Sequence, residues 1–167
     1  MKWIGITGSW RKSSPEMEAD LKREVTAVLQ NGAGIVAGGA LGVDYLATEL
    51  ALIHAPDGSR LKIFLPTSPD MYIAHYRKRA KEGVITVDQS EALIQQLMTV
   101  DKLGSLISNL DQTEPNEKTY FLRNTEVINA SDEILAFQIN ASAGTQDTID
   151  KARQRGIPVE VFTYTAE

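Results

Sequence analysis

The chain has no cysteine, and only two of its 167 residues are histidine, His54 and His75. Without cysteine there is neither a disulfide framework nor a thiolate metal site. The two histidines stand far apart with no paired ligand spacing, so no metal site is expected, and the sequence calls for no cofactor. No stretch approaches the roughly 18 apolar residues of a membrane span. Positive charge is also short: 17 Lys and Arg against 22 Asp and Glu leave a net charge of −5. A long polynucleotide track normally needs a basic surface. Here the basic residues cluster only locally, at Arg11-Lys12 and Arg77-Lys78-Arg79-Ala80-Lys81, and the second run is read first as a solvated helix face. From Met1 the chain enters a strand-like run with no leader, so a bacterial-type cytoplasmic protein is the expectation. Its length suits one domain spanning 1–167 with a real core.

What is present is an alternation of short apolar runs with helical patterns. The runs Trp3–Thr7, Gly34–Ala37, Leu61–Leu65, Glu133–Phe137 and Val159–Phe162 read as strands. The first helix is expected from Ser13 or Ser14, with Ser13 and Glu16 as a capping box, Pro15 in the first turn and Asn31-Gly32 at the end. A second follows the glycine-rich turn and carries Leu46, Leu50 and Ile53. A long third segment, about Asp88–Leu110, carries Leu93, Leu97, Val100, Leu103, Ile107 and Leu110. The stretch Ser108–Lys118 reads as a polar loop, and a last helix is expected over Thr145–Arg155. Near-continuous apolar strands alternating with helices predict an α/β, Rossmann-like, doubly wound and mostly parallel sheet, with helices on both faces. The segment Leu93–Leu110 is apolar enough to cover a dimer interface, which makes a homodimer the oligomeric expectation.

In such sheets ligands bind outside the carboxyl ends of the strands. That rule points to the loops Gly8–Ser14, Gly38–Asp44, Pro66–Tyr72 and Ile139–Thr145. Gly38-Gly39-Ala40-Leu41-Gly42-Val43-Asp44 joins a strand to a helix, so its bare N–H groups and the helix dipole suit phosphate. Thr7-Gly8-Ser9-Trp10-Arg11-Lys12-Ser13-Ser14 adds hydroxyls and a basic pair; it is neither a Gly-x-Gly-x-x-Gly fingerprint nor a P-loop. Asn140-Ala141-Ser142-Ala143-Gly144-Thr145 offers further donors at a third strand-to-helix junction. Tyr72, Tyr76 and Tyr120 are candidates for stacking on a base, although aromatics at helical spacing more often belong to the core. Asn124 is an anomaly inside an otherwise apolar-periodic helix, since asparagine is a modest helix former.

Arg123-Asn124, then Ile128, Ser131-Asp132 before an apolar strand, a Ser/Gly/Thr turn and Thr148-Ile149-Asp150-Lys151-Ala152 together resemble the Rossmann-like core of the DNA-processing protein A (DprA/Smf) family. The turn Gly38–Asp44 with Ala47 is similar to that family's Gly-Gly-Ala-x-Gly-Ile/Val-Asp motif, and Gly8-Ser9 with Arg11 to its Gly-Ser-Arg. The superfamily also holds the lonely-guy phosphoribohydrolases. The sequence departs from the DprA pattern at Thr125, where a second arginine is usual, and at Thr48, where a histidine is usual. The leading expectation is therefore binding of a nucleotide or nucleotide-derived phosphate by Gly8, Ser9, Arg11, Gly38, Gly39, Gly42, Asp44, Arg123, Asn124, Ser142, Gly144 and Thr145. Asp44 would bond a ribose hydroxyl or simply cap its helix. Two other readings stay open. A nucleoside-monophosphate N-glycosidase would use Arg123 with Asp147 or Asp44, although Thr148 stands where the phosphoribohydrolases carry glutamate. Single-stranded DNA binding would use Arg77–Lys81.

Overall fold

The computed structural model describes residues 1–111 and 114–167. Six strands form one sheet: β1 (Trp3–Gly8), β2 (Gly34–Ala37), β3 (Leu61–Phe64), β4 (Leu106–Ile107), β5 (Glu133–Ile139) and β6 (Val159–Tyr164). Their order is β4-β3-β2-β1-β5-β6 and every pairing is parallel. The helices are α1 (Pro15–Gln30), α2 (Val43–His54), α3 (Pro69–Lys81), α4 (Val87–Lys102), α5 (Glu117–Asn129) and α6 (Ala143–Gln154). The Rossmann-like, doubly wound expectation is met.

Alternation along β5 divides the interior. Leu135, Phe137 and Ile139 join the large cluster with the α1 stripe Met17, Leu21, Val25 and Leu29, whereas Ile134 meets Ile128 of α5 and Ala152 of α6 on the other face. That is the signature of a strand covered on both sides. β1, at the middle of the sheet, carries Ile4 and Ile6 into the same large cluster.

Several local expectations are corrected. Ser14, not Ser13, caps α1, accepting from Met17 N at 3.1 Å, while Ser13 Oγ donates to Glu18 rather than pairing with Glu16. Pro15 decides this: with its fixed φ it occupies the first helical position, leaving the residue before it as the cap. The segment 88–110 is not one helix. Gly104 takes φ +78° just past α4, a left-handed exit that glycine adopts without strain. The chain then returns as a short additional strand, β4, with Ile63 N donating to Ser105 O (2.9 Å) and Leu65 N to Ile107 O (2.8 Å). Leu93, Leu97 and Val100 are buried in the chain's own core, whereas Ile107 and Leu110 of the same segment are exposed. Ser68 caps a third helix, α3, inside a region read partly as loop. Of the polar stretch 108–118, α5 claims the end from Glu117 on; Gln112 and Thr113 lie outside the described residues. No helix among the described residues is long and apolar enough to cross a membrane.

Candidate functional site

The chain runs from β1 outward to β4 and then crosses back to β5 on the other side of β1. The carboxyl ends of β1 and β5 therefore flank a topological switch point, where parallel sheets leave a crevice. A cavity of about 750 Å³ lies there, a size suited to a small ligand.

Main-chain contacts around Ser9 build its floor. Ser9 N donates to Phe137 O (3.3 Å) and Ser9 O accepts from Val43 N (3.0 Å), tying the β1 exit to β5 and to the start of α2. Gly42, at φ +74°, caps α2; a Cβ there would meet the Ser9 carbonyl oxygen and stand 2.9 Å from Trp10 Cα. Ser9 thus fills the amino end of α2 from within the protein. Gly8, Ser9 and Arg11 line the cavity, with Arg11 and Lys12 exposed at its rim.

Gly38 also lines it, and its lack of a side chain admits the guanidinium of Arg123, whose Nη1 donates to Gly38 O. Arg123 Nε reaches Asn124 Oδ1 (3.3 Å), and its Cζ lies 5.3 Å from the centre of the Tyr120 ring. Asn124 is the helix anomaly explained: buried, it donates through Nδ2 to Asp147 Oδ2 (3.2 Å) and Gly144 O (3.4 Å), holding the start of α6 against α5. Asp44 is buried at the bottom of the cavity and accepts from Ala40 N (3.3 Å). Burial pushes its carboxyl up to about 6, against the opposing pull of Arg123 and the Ala40 and Gly38 amides. It does not cap α2, whose cap is Gly42 with no side-chain bond; its carboxylate instead holds the turn that precedes the helix.

α6 supplies the open donors. Its Ser142 cap makes no side-chain bond to the helix backbone, because Ser142 Oγ pairs with Thr145 Oγ1 (3.0 Å). The first-turn amides thus have no side-chain cap where Ser142, Gly144 and Thr145 line the cavity, and uncapped amides with a helix dipole attract an anion. The preceding turn is type I′: Asn140 and Ala141 have φ +53° and +51°, and Ser142 N donates to Ile139 O (3.2 Å). Asn140 Nδ2 and Oδ1 pair with the carbonyl and amide of Ala166 at 2.7 and 3.1 Å, pinning the turn.

Not every candidate reaches the cavity. Gly39 faces Leu65 and Ile63 in the core, and neither it nor Gly42 lines the space. Asp147 also stands off it, bound to Lys151 Nζ at 2.9 Å, while Thr148, the next residue, faces in. One helical step of about 100° separates those directions, so of the two carboxylates proposed for a glycosidase only Asp44 is in place. The loop Pro66–Tyr72 contributes nothing to the lining. Tyr72 is fully buried, its ring 5.0 Å from that of Tyr76, and belongs to the core. The basic run 77–81 does not act as one face: Arg77 pairs with Glu91 of α4, whereas Arg79 turns to the cavity.

A wall made by α3 and α5 was not foreseen as a unit: His75, Tyr76 and Arg79 from one helix, Glu117, Tyr120 and Phe121 from the other. Their spacings of three and four residues were visible, but which side of the sheet edge they would cover was not. Burial and the nearby Arg79 and Lys78 lower the His75 pKa. Arg11, Lys12, Arg79 and Arg123 thus oppose Asp44 and Glu117 around the cavity, a local positive excess in an acidic chain. Among the described residues no three His, Asp or Glu groups stand close enough to hold a metal ion.

The same architecture recurs in solved structures. DNA processing protein A from Helicobacter pylori, whose single-stranded DNA binding mode has been described, superposes with a TM-score of 0.71 at 24% identity over 96% of this chain and 64% of that one. This chain therefore spans just under two thirds of that protein's length. The molybdenum cofactor binding protein of Rippkaea orientalis gives a TM-score of 0.58 at 18% identity, covering 98% of this chain and 77% of its own. The molybdenum cofactor carrier protein of Chlamydomonas reinhardtii gives 0.57 at 14% identity, covering 100% and 91%. At these identities the likeness is one of fold. No curated protein matches the sequence. The family model for DNA recombination-mediator protein A matches residues 1–166, so the chain belongs to that family.

Proposed function

We propose that this chain binds a nucleotide or nucleotide-derived phosphate ligand in the crevice between β1 and β5. One observation carries the reading: the uncapped start of α6 and the guanidinium of Arg123 face the same cavity of about 750 Å³. Backbone amides and the helix dipole favour the anion, and a charge-assisted contact from arginine is about twice as strong as a neutral one. Fold neighbours that hold a small cofactor support a ligand of this size. The test is thermal unfolding with a panel of nucleoside mono- and diphosphates. A ligand at a hundredfold over its Kd adds about 2.7 kcal/mol, and the shift should vanish in Arg123→Ala. If no nucleotide shifts the midpoint, the reading fails.

Single-stranded DNA is the second reading, and a specific surface favours it. A shallow depression adjoins the cavity past Phe121 and is formed by Glu117, Lys118, Phe121, Leu122 and Lys151, with Lys151 Nζ 5.3 Å from the Phe121 ring centre. A strand leaving the cavity would find an aromatic face and two ammonium groups there, the combination that holds unpaired nucleotides. Support would come from oligonucleotide affinity that falls steeply with salt and drops in Lys118→Ala. No binding to oligonucleotides at low salt would remove this reading.

A further inference from the structure

The cavity has two chemically different ends. The β1–α6 end offers amides and hydroxyls for phosphate, whereas the α3–α5 wall is aromatic. Trp10, from the loop after β1, continues a row with Tyr76, His75 and Tyr120 of that wall, with ring centroids 6.5, 5.8 and 6.4 Å apart and planes turned 88°, 88° and 60° to one another. Rings set edge to face line the space with apolar surface for a heterocycle without forming one flat platform.

Two charged side chains flank the His75–Tyr120 pair. Arg79 is four residues after His75 on α3, and Glu117 three before Tyr120 on α5, spacings that put each beside its ring on one helix face. Arg79 Nε is buried with no hydrogen-bond acceptor among the described residues, and Glu82 meets only its Nη1, as a loose ion pair at 3.9 Å, beyond hydrogen-bonding distance. A buried donor left unpaired is costly, and an acceptor on a ligand removes that cost. Glu117 lines the cavity and has no ion-pair or hydrogen-bond partner among the described residues.

Building on the nucleotide reading above, we infer that the cavity selects a phosphorylated bicyclic heterocycle with an amino-oxopyrimidine edge, as in guanine or a pterin, over adenine. The ring lies along the aromatic wall with its phosphate at the start of α6. Arg79 donates to the ring carbonyl and the neighbouring ring nitrogen, the acceptor pair that a guanidinium reads. Glu117 accepts from the ring N–H and the exocyclic amine. Adenine is mismatched on both sides: its amine would face the guanidinium, and its unprotonated N1 the carboxylate.

Calorimetric titration of the chain with GMP, AMP, neopterin monophosphate and inorganic phosphate tests this. GMP should bind on the order of tenfold or more tighter than AMP. In both Arg79→Ala and Glu117→Gln the GMP advantage should shrink towards the AMP value, with inorganic phosphate affinity unchanged. Glu117 is exposed, so its variant keeps the test valid if Arg79→Ala folds poorly. Neopterin monophosphate binding more tightly than GMP would support the same edge, read from a pterin. Equal GMP and AMP affinities would overturn the inference and leave the phosphate site standing. No binding by any of the four would overturn the nucleotide reading as well.

Discussion

Replacing Gly38 by alanine tests whether that position is bare in order to admit Arg123. A Cβ on Gly38 would stand 2.6 Å from Arg123 Cζ and Nη1 and 2.8 Å from Nε, about 1 Å inside ordinary contact distance. The guanidinium must move and lose its bond to Gly38 O. A hydrogen bond to a charged group contributes about 1.5–3 kcal/mol. Gly38 does not have a positive φ, so alanine also restricts the unfolded chain and returns about 0.4–1 kcal/mol. The expected net loss is about 1–2 kcal/mol, and at this size each kcal/mol lowers Tm by about 2–4 °C. Displacing the guanidinium should also weaken nucleotide binding about 10- to 100-fold. The decisive measurement is a double-mutant cycle by urea unfolding. With Arg123→Ala already in place the clash is gone, and Gly38→Ala should stabilise by the entropic amount alone. Equal destabilisation in both backgrounds would refute the argument.

Three further outcomes are expected. Ala141→Gly relieves a left-handed alanine worth about 1–2 kcal/mol, less about 0.5–1 kcal/mol of extra unfolded-state freedom, so Tm should rise by a few degrees or stay level; a fall would contradict the strain at this turn. Asp44 has a folded pKa raised from 3.8 to about 6, so its contribution is fully present below pH 3.8 and is lost as pH rises through 6, by roughly 3 kcal/mol. Asp44→Asn should therefore flatten the pH 4–7 stability profile and stabilise the protein at pH 7, and calorimetry across that range checks the sign. Asp147→Ala should leave nucleotide affinity unchanged and reduce stability by about 1.5–3 kcal/mol through the lost bond from buried Asn124, measured by titration and thermal unfolding; a large affinity loss would place Asp147 in the site after all.

Five of the six strands were legible because parallel strands buried on both faces are continuous apolar runs. β4 was not, since Leu103, Ile107 and Leu110 continue a helical period and a two-residue strand has no period of its own. Gly104 was the available signal. The end of the cavity proposed for phosphate was legible for a similar local reason: amide-rich turns at strand ends are written in glycine, serine and threonine. The aromatic end was not, because it is made where α3 and α5 meet, and sequence spacing says which residues share a helix face but not what that face covers. Gly39, Gly42 and Asp147 show the same limit at single-residue scale, lying in the right segments but facing away from the cavity.

The seam between β1 and β5 has a kinetic consequence. Trp3 N donates to Asp132 across 129 residues of sequence, and the crevice lies at the far end of the same strand pair, beside Gly8 and Phe137. Closing a loop of that length costs about 4 kcal/mol of chain entropy before any contact along it is gained. During synthesis β2 and β3 can pair early, but β5 leaves the ribosome roughly 6–26 s after β1. Until then β1 has an open edge facing the place where a ligand would sit. The crevice thus forms after the half of the sheet built from β1, β2 and β3, and a ligand bound there acts on a sheet already joined across β1 and β5 rather than guiding that pairing.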